Sequence, residues 1–214
     1  MAKIDLEYAQ MLSEIVLNGK IFVNEDGVVR RQIPYYTFRH EMCNGFPAVT
    51  LKKVDVQNVI QTTIEFLQHN KKKIAEAVSL INKTNLDNIG ANLCPMIIDC
   101  KDNGELCYEY HFNSSLICGR IYDTLFFCGL YALIFESLIG VKASAIQIDL
   151  KAPCVLEDEI EETREILTKN PMLNDACQIS CPIYLTSENE SVEWKLDRLK
   201  VEDFTITNYP NFNN

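Results

Sequence analysis

Residues 91–139 read ANLCPMIIDCKDNGELCYEYHFNSSLICGRIYDTLFFCGLYALIFESLI, and this stretch decides the fold. Its last part, residues 123–139, is apolar on nearly every side, a pattern typical of a helix that is buried all round. Asp123 is a good N-cap residue, and Gly140 tolerates the left-handed conformation that ends many helices. The sequence therefore predicts a buried central helix that begins at Asp123 and ends before Gly140.

Two strands are predicted to precede this helix. The dipeptide Asn103-Gly104 is a strong hairpin signal between them. The loop over residues 114–122 is then expected at the N-terminus of the central helix, a place where anions are often bound.

Periodicity and turn residues predict the elements outside this stretch. Helices are predicted over residues 4–17, 55–69, 74–82 and 157–168, and strands over 20–23, 28–31, 32–39, 143–150, 177–185, 192–196 and 204–207. Asp55 is expected to cap the second helix, Pro34 to mark a sheet edge or a bulge, and residues 143–150 to bury one face. Because no linker-like segment interrupts the chain, residues 1–214 are predicted to form one α+β (mixed α/β) domain.

The charge balance argues against binding to a nucleic-acid backbone. The net charge is -10, whereas phosphate binding of that kind needs a basic surface. The one basic run, Lys71-Lys72-Lys73, is interpreted as a solvated linker between two helices.

Cysteine usage and hydropathy indicate an expected compartment. The nine cysteines have no metal-ligand spacing, and charged residues break up the first residues of the chain. Reduced thiols, no metal site and a cytoplasmic location are therefore expected. Residues 123–139 contain Glu136 and are short for a membrane span, which favours a core helix.

Five segments in collinear order carry a resemblance to the thymidylate synthase and deoxycytidylate hydroxymethylase family. The first, with Tyr8, Met11-Leu12, Ile15 and Gly19, is similar to the family's opening Y-x-x-L-L-x-x-I-L-x-x-G. GFPAVTLKKV at residues 45–54 resembles the family's G-F-P-L-L-T-T-K-K-V. Residues 102–106, 110–123 and 202–210 are similar to its D-G-E-L hairpin, its Y-Q-R-S-x-D-L-F-L-G-x-P-F-N segment and its D-F-x-I-x-x-Y-x-P ending. The resemblance implies a fold in which a mixed sheet and helices pack around the central helix. It also implies that the protein dimerises through the outer face of the sheet.

The departures from the family fall on positions with a chemical role. Met96 stands where the family has its nucleophilic cysteine, and a thioether cannot become the thiolate that adds to a pyrimidine ring. The phosphate-binding Arg-Ser pair falls on Phe112 and Asn113, and the folate-orienting Asp on Ser115. The His and Tyr that hold the sugar fall on Pro153 and Val155.

Some candidates for weak nucleotide binding remain, and Asn113 is one of them. The family's early R-T-G phosphate loop is absent, but three arginines lie near that point of the sequence: Arg30, Arg31 and Arg39. Asp123 falls on the base-reading Asn and would suit the amine of cytosine, although it would also simply cap the central helix.

The resemblance therefore implies a divergent, shortened and catalytically inactive member of the family. Such a protein would act as a binding or interaction module without a cofactor, with a second copy, a nucleotide or an active relative as partner. The alternative is an active methyl- or hydroxymethyltransferase for dUMP or dCMP that uses tetrahydrofolate. It would need Cys94 as the nucleophile, although Cys94 lies two residues before the matching position.

An alternating aromatic row independently predicts a homodimer. Tyr108, Tyr110 and Phe112, together with Ile146 and Ile148, offer more apolar strand surface than the helices of one small domain are expected to cover. Exposed surface of that kind usually marks an interface, and a two-fold dimer is the commonest solution.

Overall fold

A computed structural model of the chain describes residues 3–83, 90–92, 96–100, 106–112, 118–168 and 177–209, with side chains described for 3–81, 107–112, 121–168 and 177–209. The helices in these ranges are α1 (Lys3–Asn18), α2 (Val56–His69), α3 (Lys71–Lys83), α4 (Cys118–Ile139), α5 (Ile160–Thr168) and α6 (Val192–Arg198). The strands are β1 (Lys20–Val23), β2 (Val29–Gln32), β3 (Tyr35–Glu41), β4 (Gly90–Asn92), β5 (Met96–Cys100), β6 (Leu106–Phe112), β7 (Ala143–Lys151), β8 (Cys154–Leu156), β9 (Gln178–Ser180) and β10 (Thr205–Thr207). The predicted α+β class is confirmed.

The largest sheet has five strands in the order β3-β7-β6-β5-β4. Strands β6 and β7 are parallel and the other neighbours are antiparallel, so the sheet is mixed. A second sheet has the order β1-β2-β8, and β9 pairs with β10. The parallel pair is joined through α4, which therefore lies across the sheet.

Helix α4 covers the inner face of the five-stranded sheet. The Tyr110 hydroxyl donates to the carbonyl of Cys128 at 2.8 Å, and the Tyr108 ring packs edge-on against Phe135. Tyr108 and Tyr110 are both fully buried. The expectation that this aromatic row remains uncovered is therefore wrong, because the long central helix supplies enough apolar surface to bury it.

The start of α4 differs from the prediction, whereas its end agrees. The helix begins at Cys118, so Asp123 lies in its second turn and is not its N-cap. Residues 118–122 were predicted as loop but are helical. Ile121 is buried in the core, and this tertiary packing outweighs the preference of Asp123 for the N-cap position. Gly140 has a φ of 70°, and its N–H donates to the Glu136 carbonyl at 2.9 Å, as expected for a left-handed helix end.

The pair of strands β3 and β7 continues into the smaller sheet as β2 and β8. The join is at Pro34 and Ala152, where the Ala152 N–H donates to the Pro34 carbonyl at 3.0 Å. Ala152 has a φ of 53°, which turns the strand at this point. Pro34 therefore lies in the bend between β2 and the edge strand β3, in keeping with the predicted irregularity.

Four other predictions need correction. Residues 177–185 are not one strand, since β9 covers only Gln178–Ser180 and Ile183–Thr186 form a short 3-10 helix. Lys71–Lys73 form the first turn of α3 and are not a linker. Residues 192–196 are helical in α6, because the Ser191 side chain caps the helix by accepting from the Trp194 N–H at 3.2 Å. Strand β7 buries Ala145 and Asp149 on its second face as well, because β3 and β6 flank it on both sides.

The buried apolar side chains form one cluster that runs from Ile4 in α1 to Phe204 before β10. By length and composition alone, Ile121–Ile139 is apolar enough to cross a membrane, but most of it is buried inside the protein. Asp55 caps α2 as predicted, since its carboxylate accepts from the Asn58 N–H at 3.2 Å.

Candidate functional site

One end of the five-stranded sheet carries two of the positions to which the family resemblance assigns chemistry, Met96 and Phe112. Strand β5 begins there with Met96, which pairs with Tyr110, and β6 ends there with Phe112, which pairs with Leu150. Helix α4 starts six residues after Phe112. Cys94, Asn113 and Ser115, as well as the Asn103-Gly104 turn, lie outside the described residues.

Phe112 is half-buried and packs against the core. Its ring stands where the resemblance places a phosphate-binding arginine. An aromatic ring in this position supplies apolar contact area and no donor for an anion.

Asp123 is half-buried on α4 and lies near two tyrosines. Its charge contributes to raising the pKa of Tyr122, after the larger effect of burial. Burial, with smaller effects from Cys177 and Asp123, raises the pKa of Tyr209 to about 12. The Tyr209 hydroxyl accepts from the Val54 N–H at 3.2 Å, so these side chains join α4 to the end of the GFPAVTLKKV segment.

Arg31 is held by groups of its own chain. Its Nε and Nη2 atoms donate to the two oxygens of Glu157 at 2.9 and 2.8 Å, and Nη1 donates to the Val16 carbonyl at 3.2 Å. This hydrogen bonding raises the pKa of Arg31 and lowers the pKa of Glu157. A guanidinium that is engaged on both sides has little left to offer a phosphate.

Pro153 and Val155 are buried in the core. The Pro153 carbonyl accepts from the Ile33 N–H at 3.3 Å. Val155 faces Tyr8 and Leu12 of α1 across a gap of about 10 Å³. That volume holds at most one water molecule, so no sugar fits at this position.

Arg30 points to the opposite face of β2 from Arg31, since neighbouring side chains alternate. The Arg30 Nε atom and the Gln32 Oε1 atom are both buried, and neither has a hydrogen-bond partner among the described residues. Burial raises the pKa of the nearby Cys154 thiol, against the opposing effect of the Arg30 charge. Of the three predicted arginines, Arg30 is thus the one with a buried Nε that has no hydrogen-bond partner among the described residues.

Gln32 and Cys154 were not singled out in the sequence. They pair across β2 and β8 in the register of the smaller sheet. Gln32 and Cys154 are far apart in the chain, so their proximity could not be predicted from local sequence. The sequence indicated only that Arg30 and Gln32, two residues apart on a strand, would lie on the same face.

Arg39 lies on the outer face of the five-stranded sheet, away from Arg30 and Arg31. Its Nε donates to Glu41 at 3.1 Å, and its Nη1 donates to Gln147 at 3.4 Å. On the same face, Asp149 accepts from the Thr37 hydroxyl at 2.8 Å and lies 2.9 Å from His111 Nδ1. The outer face is therefore polar, and these side chains are paired within one chain.

The GFPAVTLKKV segment connects α1, α4 and α5. Asp5 of α1 accepts from the Thr50 N–H at 2.6 Å and from the Thr50 hydroxyl at 2.7 Å. Lys52 lies 3.4 Å from Glu162 of α5 and 5.5 Å from the centre of the Tyr122 ring. In this structure the segment's polar side chains hold helices together.

No protein-family model matches this chain, and no curated protein matches its sequence. In the part of the chain that the structure describes, no group of three or more His, Cys, Asp or Glu side chains is placed to hold a metal ion. None of the six cysteines with described side chains forms a disulfide within the part of the chain that the structure describes.

Proposed function

We propose that this protein is a catalytically inactive, thymidylate-synthase-like binding module that works as a homodimer. Its fold would retain the scaffold of the family and its site would no longer perform chemistry. It would use no cofactor, and its partners would be a second copy or another protein.

The contacts that Arg31 and Val155 make in the structure are the main observation that supports this proposal. The two residues pair across β2 and β8 and point to the same side, toward α1. Arg31 is engaged there by Glu157 and Val16, and Val155 fills the space beside Tyr8 and Leu12. This side of the strand pair is thus occupied by a partly exposed ion pair at Arg31 and by buried apolar side chains at Val155.

Other features support the same proposal. Met96 begins β5, and a methionine supplies no thiolate wherever its side chain lies. The mixed sheet with a buried helix across one face is the architecture that the resemblance implied.

Intact-mass spectrometry tests the proposal. The protein is incubated with 5-fluoro-dUMP, or separately 5-fluoro-dCMP, and methylenetetrahydrofolate, which together trap a covalent adduct on an active cysteine of this family. We expect the mass to remain that of the unmodified chain, because Met96 cannot attack the pyrimidine ring.

The Cys94→Ser variant is the matched control. An adduct on the unmodified protein that disappears in this variant would contradict the proposal and make Cys94 the nucleophile of an active transferase. An adduct that persists in the variant would also contradict it and would point to another cysteine.

A further inference from the structure

His40 is a histidine near the end of β3, and it is only 2% exposed. Its Nε2 atom lies 2.7 Å from the carbonyl oxygen of Gly45. A carbonyl oxygen can only accept a hydrogen bond, so Nε2 carries the hydrogen and donates it. His40 therefore ties β3 to the first residue of the GFPAVTLKKV segment.

The other ring nitrogen of His40, Nδ1, is also buried and has no hydrogen-bond partner among the described residues. With the hydrogen on Nε2, the neutral ring leaves Nδ1 as an acceptor only. Protonation would add a donor and a positive charge at this nitrogen, and a buried charge without a hydrogen-bonded partner is costly. The structure therefore holds the neutral form of the imidazole.

The charged groups around His40 do not reverse this preference. Glu7 and Lys3 lie on α1 and Glu41 lies on β3, whereas the residue of β7 that pairs with His40 is the apolar Ile146. Glu7 is 3.6 Å from Lys3, so the two charges offset each other in part. Burial lowers the pKa of His40 below its ordinary value of 6.5, and the opposing effects of the backbone bond and the two carboxylates are smaller.

The bond from His40 closes a tight turn at residues 42–45. Met42–Asn44 form a short 3-10 helix, and the Gly45 N–H donates to its first carbonyl at 3.1 Å. Gly45 has a φ of 92°, a conformation that favours glycine. The next residue, Phe46, donates its N–H to the Cys177 carbonyl at 3.0 Å. The turn thereby connects the end of β3 to the start of β9.

The 42–45 turn also forms one wall of a groove of about 500 Å³. Leu133 and Glu136 of α4 line the same groove, together with Lys142 and residues 177–180. The Glu136 carboxylate accepts from the Ala143 N–H at 3.0 Å, so it is engaged by the start of β7. Opening of the turn would therefore change the shape of this groove.

We propose that His40 is a pH-sensitive switch, in which the neutral imidazole holds the 42–45 turn closed and protonation opens it. In the open turn the imidazole reaches water and regains its ordinary proton affinity. The closed turn binds the proton less tightly, so its stability is fully present above about pH 6.5 and is lost as the pH falls toward the lowered pKa of the closed state. This inference concerns the turn alone and does not depend on the proposed function.

Amide hydrogen exchange, followed by NMR on the full chain, tests the switch. The protection factors of the Gly45 and Phe46 amides, corrected for the intrinsic pH dependence of exchange, report the open fraction. We expect them to fall about tenfold between about pH 7.5 and about pH 5.5, because protonation of a group with a pKa of 6.5 shifts the equilibrium by that factor one pH unit below this value. The Ala132 amide in the middle of α4 should keep its protection.

His40→Gln is the matched variant, because the glutamine amide can donate to the Gly45 carbonyl but does not titrate. Its protection factors at Gly45 and Phe46 should be the same at both pH values. His69→Gln is the control: His69 is exposed in the last turn of α2, and its substitution should leave the wild-type fall in protection unchanged.

Three results from hydrogen exchange would overturn the switch. They are equal protection at both pH values in the wild type, a fall that persists in His40→Gln, and an equally large fall at Ala132. The second would assign the effect to another group, and the third would indicate global unfolding. An NMR titration of the His40 ring in the wild type is an independent measurement: we expect a midpoint below 6.5, and a midpoint at or above that value would also overturn the switch, whether or not the glutamine variant folds.

Discussion

At the scale of single residues, Asp5 shows how one buried polar side chain fixes a loop. Asp5 is fully buried in α1, and both of its carboxylate oxygens accept hydrogen bonds from Thr50. Burial raises the pKa of Asp5 above its ordinary value of 3.8, while the bonds from Thr50 oppose that shift. Burial therefore destabilises the ionised form of Asp5, and the two hydrogen bonds from Thr50 offset only part of this free-energy cost.

This balance predicts a pH-dependent difference between the wild type and Asp5→Asn. Because the folded-state pKa of Asp5 is raised, the folded protein holds the proton more tightly than the unfolded chain. The stabilisation by the protonated form is fully present below pH 3.8 and is lost as the pH rises through the folded-state pKa. We expect the urea midpoint of the wild type to fall, relative to that of Asp5→Asn, as the pH rises from about 4 toward neutrality.

The asparagine is a suitable comparison because its amide can both accept from the Thr50 N–H and donate to the Thr50 hydroxyl. Asp5→Ala is the second control, and it should lose about 1–3 kcal/mol of stability because the half-buried Thr50 N–H loses its acceptor. Equal pH slopes for the wild type and Asp5→Asn would contradict the role assigned to burial.

At the scale of elements, the close approach of α4 to the GFPAVTLKKV segment depends on Gly129. A Cβ atom at this position would lie 2.5 Å from Pro47 Cγ and 2.8 Å from Pro47 Cδ. Next to this contact, the rings of Phe46 and Phe126 pack at a centroid distance of 4.8 Å. A glycine in the interior of a buried helix is thus explained by packing.

We expect Gly129→Ala to destabilise the protein, although alanine favours a helix by about 1 kcal/mol over glycine. The clash with the rigid Pro47 ring outweighs this gain, and overpacking of a core typically costs about 1–3 kcal/mol. Urea unfolding measures the difference. In a double-mutant cycle, Pro47→Ala should relieve part of the loss, and additive effects of the two substitutions would argue against the contact.

At the scale of the whole molecule, charge and packing together disfavour nucleotide binding. The net charge is -10. Arg31 and Arg39 are both engaged by side chains of the same chain. Asp123 adds a negative charge near the N-terminus of α4 and would repel a phosphate.

We therefore expect dissociation constants for dUMP and dCMP in the millimolar range or weaker. Each charge-assisted hydrogen bond to a phosphate contributes about 1.5–3 kcal/mol, so the loss of two weakens a micromolar ligand by about two to four powers of ten. Isothermal titration measures the constant. Binding near about 10 μM would contradict the expectation, and its loss in Arg30→Ala would show that the unpaired Arg30 had rebuilt the phosphate site.

The sequence by itself determined the elements that depend on local chemistry. Helix α1 follows from apolar residues three and four apart, the start of α2 from Asp55, and the end of α4 from Gly140. Strands β1 and β2 match the strands predicted over residues 20–23 and 28–31. Each of these signals involves residues within a few positions of one another, so no knowledge of the remaining chain is needed.

Tertiary structure alone decided the features that join distant parts of the chain. Residues 192–196 alternate like a strand, yet Ser191 caps a helix whose Leu196 is buried in the core. Asp123 is a favourable cap residue, yet α4 starts earlier because Ile121 packs in the core. Arg31 was predicted from the sequence as a phosphate-binding residue, but in the structure it is paired with Glu157, which lies 126 residues away in the chain. Such contacts bury surface or pair charges between segments whose separation in sequence carries no local signal, so the folded chain is what settles their partners.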